Sequence, residues 1–159
     1  MRLPTYVVRL PFDGDFTRPD GGGASDLPPE LLFELGVAEL DHCFLEFDLI
    51  IDKYNIEKIK TIGDAYMVAG GLEGSRAEDA RKVIEMALGM YEDLAEFNDR
   101  YQMELGMRIG INSGPVVAGV IGHSKFSYDL WGNTVNTASR MESTSIPGKI
   151  QISPSTYQQ

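Results

Sequence analysis

The chain has 159 residues, 43% hydrophobic and 24% charged, which excludes a disordered tail and fits one globular domain. Its 14 Lys and Arg against 24 Asp and Glu leave a formal net charge of −10, so a phosphate-backbone partner such as nucleic acid is not expected. The lone Cys43 rules out an internal disulfide framework and fits a reducing, cytoplasmic setting, and no run nears the roughly 18 apolar residues that direct membrane contact through a spanning helix would need.

Thr5 to Leu10 is a β-branched and aromatic run that predicts a first strand. Pro11 to Pro29 follows with four Asp, four Gly and four Pro and reads as loop, so residues 1–30 form a first strand with a Gly/Pro/Asp-rich loop and residues 31–159 the main domain. From Phe33 the apolar residues Val37, Leu40, Phe44, Phe47, Ile51 and Tyr54 step by three and four, which predicts one stripe of a long amphipathic helix. Ile56 to Ile62 and Ala65 to Ala69 flank Gly63-Asp64, a two-residue hairpin signal that puts Asp64 at a tight turn.

Ser75-Arg76-Ala77-Glu78 reads as a capping box, and Ala80, Ile84, Ala87, Tyr91, Leu94 and Tyr101 supply the stripe of a second helix. Met107, Ile109 and Ile111 alternate as a strand that Gly114-Pro115 breaks, and Val116 to Ile121 reads as a returning strand. Tyr128 to Gly132 leads into a helix over Asn133 to Glu142, and after the Pro147-Gly148 turn Lys149 to Ser153 predicts a last strand. The expected class is α+β: a ferredoxin-like βαββαβ core with an appended hairpin, helix and strand. Its sheet should be mainly antiparallel with helices on one face, leaving the other face and the hairpin tips for a ligand.

Asn136 and Arg140 are four apart, so an amide and a forked guanidinium share one helical face. The plainer reading is a surface Asn and an Arg paired with Glu142 or another acid. His42 and His123 have no second ligand at metal spacing, and Gly21, Gly22 and Gly23 are not followed by the Lys of a phosphate loop. Phe126 and Trp131 read as core packing.

Three ordered motifs carry a resemblance. Glu57-Lys58-Ile59-Lys60-Thr61-Ile62-Gly63-Asp64-Ala65-Tyr66-Met67, the stretch from Met107-Arg108-Ile109-Gly110-Ile111-Asn112-Ser113-Gly114 to Gly122, and Tyr128-Asp129-Leu130-Trp131-Gly132-Asn133-Thr134-Val135-Asn136-Thr137-Ala138-Ser139-Arg140-Met141-Glu142 resemble the class III adenylate/guanylate cyclase catalytic domain, from about Leu40 to Thr156. The resemblance implies attack of a ribose 3′ hydroxyl on the α-phosphorus with loss of pyrophosphate, helped by two Mg²⁺ or Mn²⁺ ions per site.

It makes Asp64 one metal ligand, where the plainer reading is an ordinary hairpin acid. A second carboxylate is implied near the first strand. Counting back from Phe16-Thr17 without gaps puts Phe12 there, and a one-residue deletion brings in Asp13, which otherwise reads as a solvated loop acid beside Asp15. The resemblance makes Lys60 and Asp129 purine readers, where the plainer readings are a solvated strand Lys and a turn acid. Adenine offers an N6 donor and an N1 acceptor, which an acceptor and a donor can read, whereas the guanylate enzymes typically carry Glu and Cys at these two places, so ATP is the expected substrate. Asn136 would orient the ribose and Arg140 would stabilise charge on the α-phosphate. Two copies are implied to share each site, so a homodimer is expected, and the family continues past the position of Gln159 with a phosphate-contacting Lys. The alternative function is a catalytically silent dimerisation or nucleotide-binding module. A cyclic-dinucleotide synthase on a similar core is the remoter reading, since its Gly-Gly-acid-acid hairpin is not in the sequence.

Overall fold

A computed structural model describes residues 3–9, 29–72, 78–101, 105–122 and 126–159. Strand β1 (Leu3–Arg9) lies antiparallel between β3 (Ala65–Ala69) and β4 (Arg108–Gly114), with Val7 level with Met67 on one side and Gly110 on the other. The β2 strand (Glu57–Ile62) pairs with β3 at one edge, and β7 (Ile150–Ile152) joins β4 in parallel at the other. The resulting order, β2-β3-β1-β4-β7, is the expected α+β, ferredoxin-like arrangement with one added edge strand.

Helices α1 (Pro29–Tyr54) and α2 (Asp79–Tyr101) cover one face of this sheet. Their apolar stripes meet Tyr66, Val68, Ile109 and Ile111, the residues of β3 and β4 that alternate toward them. On α1 the expected residues Phe44, Phe47 and Ile51 are buried, joined by Cys43 and Ile50. On α2 the buried stripe is broader than the expected one. Val83, Met86, Met90 and Phe97 are buried, each worth about 1.5–3 kcal/mol, while Tyr101 is exposed and packs on Phe97 at 4.6 Å between ring centres. Ser75 of the expected capping box, His123 and Asp13 lie outside the described residues.

The expected appended hairpin, helix and strand are present, but their placement departs from expectation in four ways. Strand β5 (Val117–Ile121) does not return along β4; it pairs with β6 (Ser127–Trp131) as a separate two-stranded ribbon. Pro115, which donates no amide hydrogen, separates the two sheets. Helix α3 (Asn133–Ser143) packs on the sheet face opposite α1 and α2, where Ala138 joins Met67, Ala69 and Leu130 in a second apolar cluster, so helices cover both faces. A short helix α4 (Pro154–Tyr157) follows β7, capped by Ser153, whose side chain accepts from the Thr156 amide. Phe126, expected in the core, is 78% exposed.

Candidate active site

Strand β2 aims its two lysines in opposite directions. Lys58 pairs with Val68 and Lys60 with Met67, so Ile59 is an extra residue that shifts the register between them. Val68 belongs to the α1–α2 core and Met67 to the cluster under α3. Lys58 accordingly reaches Asp48 on α1 at 2.8 Å, over the Tyr66 ring, whereas Lys60 reaches Asp129 on β6 at 2.5 Å. In an unbulged strand the two would share a face, and Lys60 would point into the helical layer.

Asp129 is held from two directions. Its Oδ1 accepts from the Leu130 amide at 2.8 Å and its Oδ2 from Lys60, with Leu130 anchoring the strand in the apolar cluster beneath. The side chains of Lys60 and Asp129 are 34% and 17% exposed, so a donor and an acceptor from residues 69 apart sit side by side, half out of water. Asp129 is therefore a strand residue of β6 and not a turn acid.

The seat of α3 is written into β4. Arg108, Gly110, Asn112 and Gly114 alternate with Ile109, Ile111 and Ser113, and the first set faces α3. A Cβ on Gly110 would lie 2.1 Å from the Glu142 nitrogen and 2.4 Å from the Ala138 oxygen, and one on Gly114 would lie 2.5 Å from Thr134 Oγ1. Only glycine lets the helix backbone come this close. At the helix start Asn112 donates to the Thr134 carbonyl at 2.9 Å and Thr134 donates to the Pro115 carbonyl at 2.6 Å. Asn112 in turn accepts from Ser153 and Ser155, which ties α4 to the same point.

With Thr134, Ala138 and Glu142 buried against the sheet, Asn136 and Arg140 fall on the opposite, exposed side of α3, one turn apart. Arg140 is not paired with Glu142. That carboxylate accepts from Arg108 Nε at 3.0 Å instead, and the Arg140 guanidinium has no ion-pair partner among the described residues. The pairing of Arg108 with Glu142 leaves no local trace in the sequence, but glycines four apart in one strand, Gly110 and Gly114, signal a close backbone approach.

Asp64 sits with Gly63 at the tip of the β2–β3 hairpin, where Gly63 has φ +57° and relieves the strain of a left-handed turn. Its hard oxygen donors suit Mg²⁺ or Mn²⁺. Among the described residues no group of three or more His, Cys, Asp or Glu side chains converges into a complete cation site, and a ligand set including Asp13 would draw on residues outside them. A groove bounded by described residues runs past Asp48, Asp52 and Lys58 on the helical face, and neither Lys60 nor Asp129 lines it.

The fold and these motifs together define a nucleotide-cyclase type of domain, and comparison with known proteins agrees. Residues 34–159 match the adenylate and guanylate cyclase catalytic domain, and the chain belongs to that family. It is 41% identical over 119 residues to an adenylate cyclase of Mycobacterium tuberculosis and 47% identical over 122 residues to human retinal guanylyl cyclase 2, covering 75% and 74% of this chain. It spans only 27% and 11% of those proteins. Among solved structures it superposes, with a TM-score of 0.78 and 37% identity, on the catalytic core of a rhodopsin-guanylyl cyclase with converted specificity in complex with ATPαS, covering 99% of this chain and 79% of that one. No helix among the described residues is long and apolar enough to cross a membrane.

Proposed function

We propose that this domain is an adenylate cyclase that converts ATP to 3′,5′-cyclic AMP and pyrophosphate at a site shared between two copies. The observation that carries the choice of ATP is the Lys60–Asp129 pair, a donor and an acceptor fixed side by side at 2.5 Å. In this reading Lys60 donates to adenine N1 while Asp129 accepts from the N6 amino group. Guanine in the same register would set its O6 against the carboxylate and its N1–H against the ammonium. Each clash costs about 1–3 kcal/mol, enough for a preference of about 10- to 100-fold. Relatives of both specificities occur, so the preference rests on these two side chains and not on ancestry.

Asn136 orients the ribose, and the exposed guanidinium of Arg140 meets charge developing on the α-phosphate. Asp64, with Asp13 as the second carboxylate, would hold Mg²⁺ or Mn²⁺. When bound, such ions neutralise the triphosphate and favour the departure of pyrophosphate. Each chain carries a full set of these residues, so a symmetric homodimer builds two equivalent sites. The β5–β6 ribbon supports self-association, because Val117, Val120, Ile121 and Phe126 expose an apolar surface that water disfavours.

The test is cyclic nucleotide formation by the purified chain with Mg²⁺ or Mn²⁺. Cyclic AMP from ATP, with GTP used at least about 10-fold less well, is the expected result. Equal use of GTP contradicts the purine assignment, and nucleotide binding without turnover points to the silent regulatory module instead.

A further inference from the structure

Helix α3 is held by two different devices at its two ends. Its start is held by neutral hydrogen bonds from Asn112 and Thr134, its end by the ion pair between Arg108 and Glu142. The Glu142 side chain is 2% exposed and that of Arg108 23%, so the carboxylate is taken out of water and the guanidinium largely so. An apolar contact of the same volume holds a helix at least as firmly, because burying ions is costly even when they are paired. What the ion pair adds is direction: the guanidinium Nε–H is planar and fixed, and Oε1 must meet it along one line at 3.0 Å.

That direction matters because of what lies across the helix. Each residue turns a helix by about 100°, so Arg140 is about 200° round from Glu142 and Asn136 one turn further back on the same side. A rotation of α3 by roughly 10° about its axis moves a group about 6 Å from that axis by about 1 Å. Misplacement on that scale costs about 100-fold in rate where orientation carries catalysis. Gly110 removes the side chain that would otherwise set the spacing, so the helix can lie close, and the ion pair sets its angle.

We propose that Glu142, through Arg108, is a positioning residue of the cyclase reaction, fixing the rotation of α3 and with it the direction in which Arg140 and Asn136 point. This rests on the adenylate cyclase reading above. Glu142 touches no substrate and acts only through the residues across the helix.

The test compares the parent chain, Glu142→Ala, Glu142→Gln and the double variant Arg108→Met with Glu142→Met, each also in an Arg140→Ala background. The readouts are kcat, KM and the thermal midpoint. Glu142→Ala and the double variant are expected to lower kcat by about 10- to 100-fold with KM within about 3-fold. The double variant, which leaves no buried charge unpaired, is expected to keep its thermal midpoint. Glu142→Gln, whose amide oxygen still accepts from Arg108, is expected to stay within about 3-fold of the parent. Without Arg140, Glu142→Ala is expected to cost clearly less than in the parent, because only Asn136 is then left to be misplaced.

A double variant with the kcat of the parent overturns the proposal. So does an equal loss from Glu142→Ala with and without Arg140, or a double variant that fails to fold, since each makes the pair purely structural. A parent chain that forms no cyclic nucleotide removes the cyclase reading and this proposal together. An active parent with unaffected variants removes the proposal alone.

Discussion

Lys58 and Lys60 are two residues apart on one strand and point to opposite faces of the sheet, the first to Asp48 and the second to Asp129. One extra residue, Ile59, makes the difference. It separates a lysine paired with α1 from the one proposed to read the purine and leads to a paired prediction. Lys58→Ala removes a half-exposed ion pair worth about 0–1 kcal/mol, so the thermal midpoint falls slightly and the ATP-to-GTP ratio of kcat/KM stays put. Lys60→Ala is expected to raise KM for ATP by about 10-fold and to collapse that ratio toward one. Steady-state kinetics on both nucleotides checks the pair.

Gly110 is the point of closest approach between β4 and α3. The atoms that a Cβ would meet there are backbone, so no side-chain rotation relieves the clash. Gly110→Ala is expected to cost about 3 kcal/mol, which for a domain of this size lowers the thermal midpoint by about 10 °C. Thermal unfolding followed by circular dichroism measures it. Gly63→Ala, with open space around the Cβ but φ +57°, should cost only about 1 kcal/mol.

Burial pushes the Cys43 thiol up from an ordinary value near 9.0 to about 12, with Glu46 and Asp93 adding to the effect. It also pushes the Tyr91 hydroxyl up from 10.0 to about 12. Tyr91 donates to the carbonyls of Met107 and Lys149, bonds that ionisation would abolish. Both groups have folded values above their unfolded ones, so their contribution is complete below about pH 9 and is lost as pH rises toward 12. The thermal midpoint is expected to fall steadily above pH 9, and Cys43 to resist alkylation at pH 8 until the chain unfolds.

Asp93 also has a raised pKa, through burial first and then through Glu96, Glu46 and Glu92, with Lys53 opposing. Its ionised form is thus disfavoured in the fold, and Asp93→Asn should raise the thermal midpoint at neutral pH by about 1–2 °C. The gain should vanish as the solution is acidified to where the carboxyl is protonated in both folded and unfolded chains. Melting curves across the acid range decide it.

The helices, the hairpins and the strand alternation could be read from the sequence because each rests on a local period: steps of three and four in α1, alternation in β4, Gly63-Asp64 between apolar runs. Asn136 and Arg140 were placed on one face by the same arithmetic. What stayed hidden depends on register and on contacts far apart in the chain. The Ile59 bulge leaves no periodic trace, and plain alternation would put Lys58 and Lys60 on one face. The side of the sheet taken by α3 depends on Gly110 and Gly114, which punctuate a strand in sequence and open it to a helix in space. The α4 turn carried a readable sign, Ser153 followed by Pro154, but four residues are too few to show a stripe.

The shared site is the central claim, and mixing two inactive variants tests it most directly. On the proposed roles, Asp64→Ala would damage the metal-binding half of each site and Asn136→Ala the ribose-orienting half, so each homodimer should be inactive. In an equal mixture about half the dimers are mixed, and each mixed dimer contains one intact site of two, so about a quarter of the parent's cyclic AMP formation should return. A mixture as inactive as its two components, with mixed dimers shown to form, would contradict the claim.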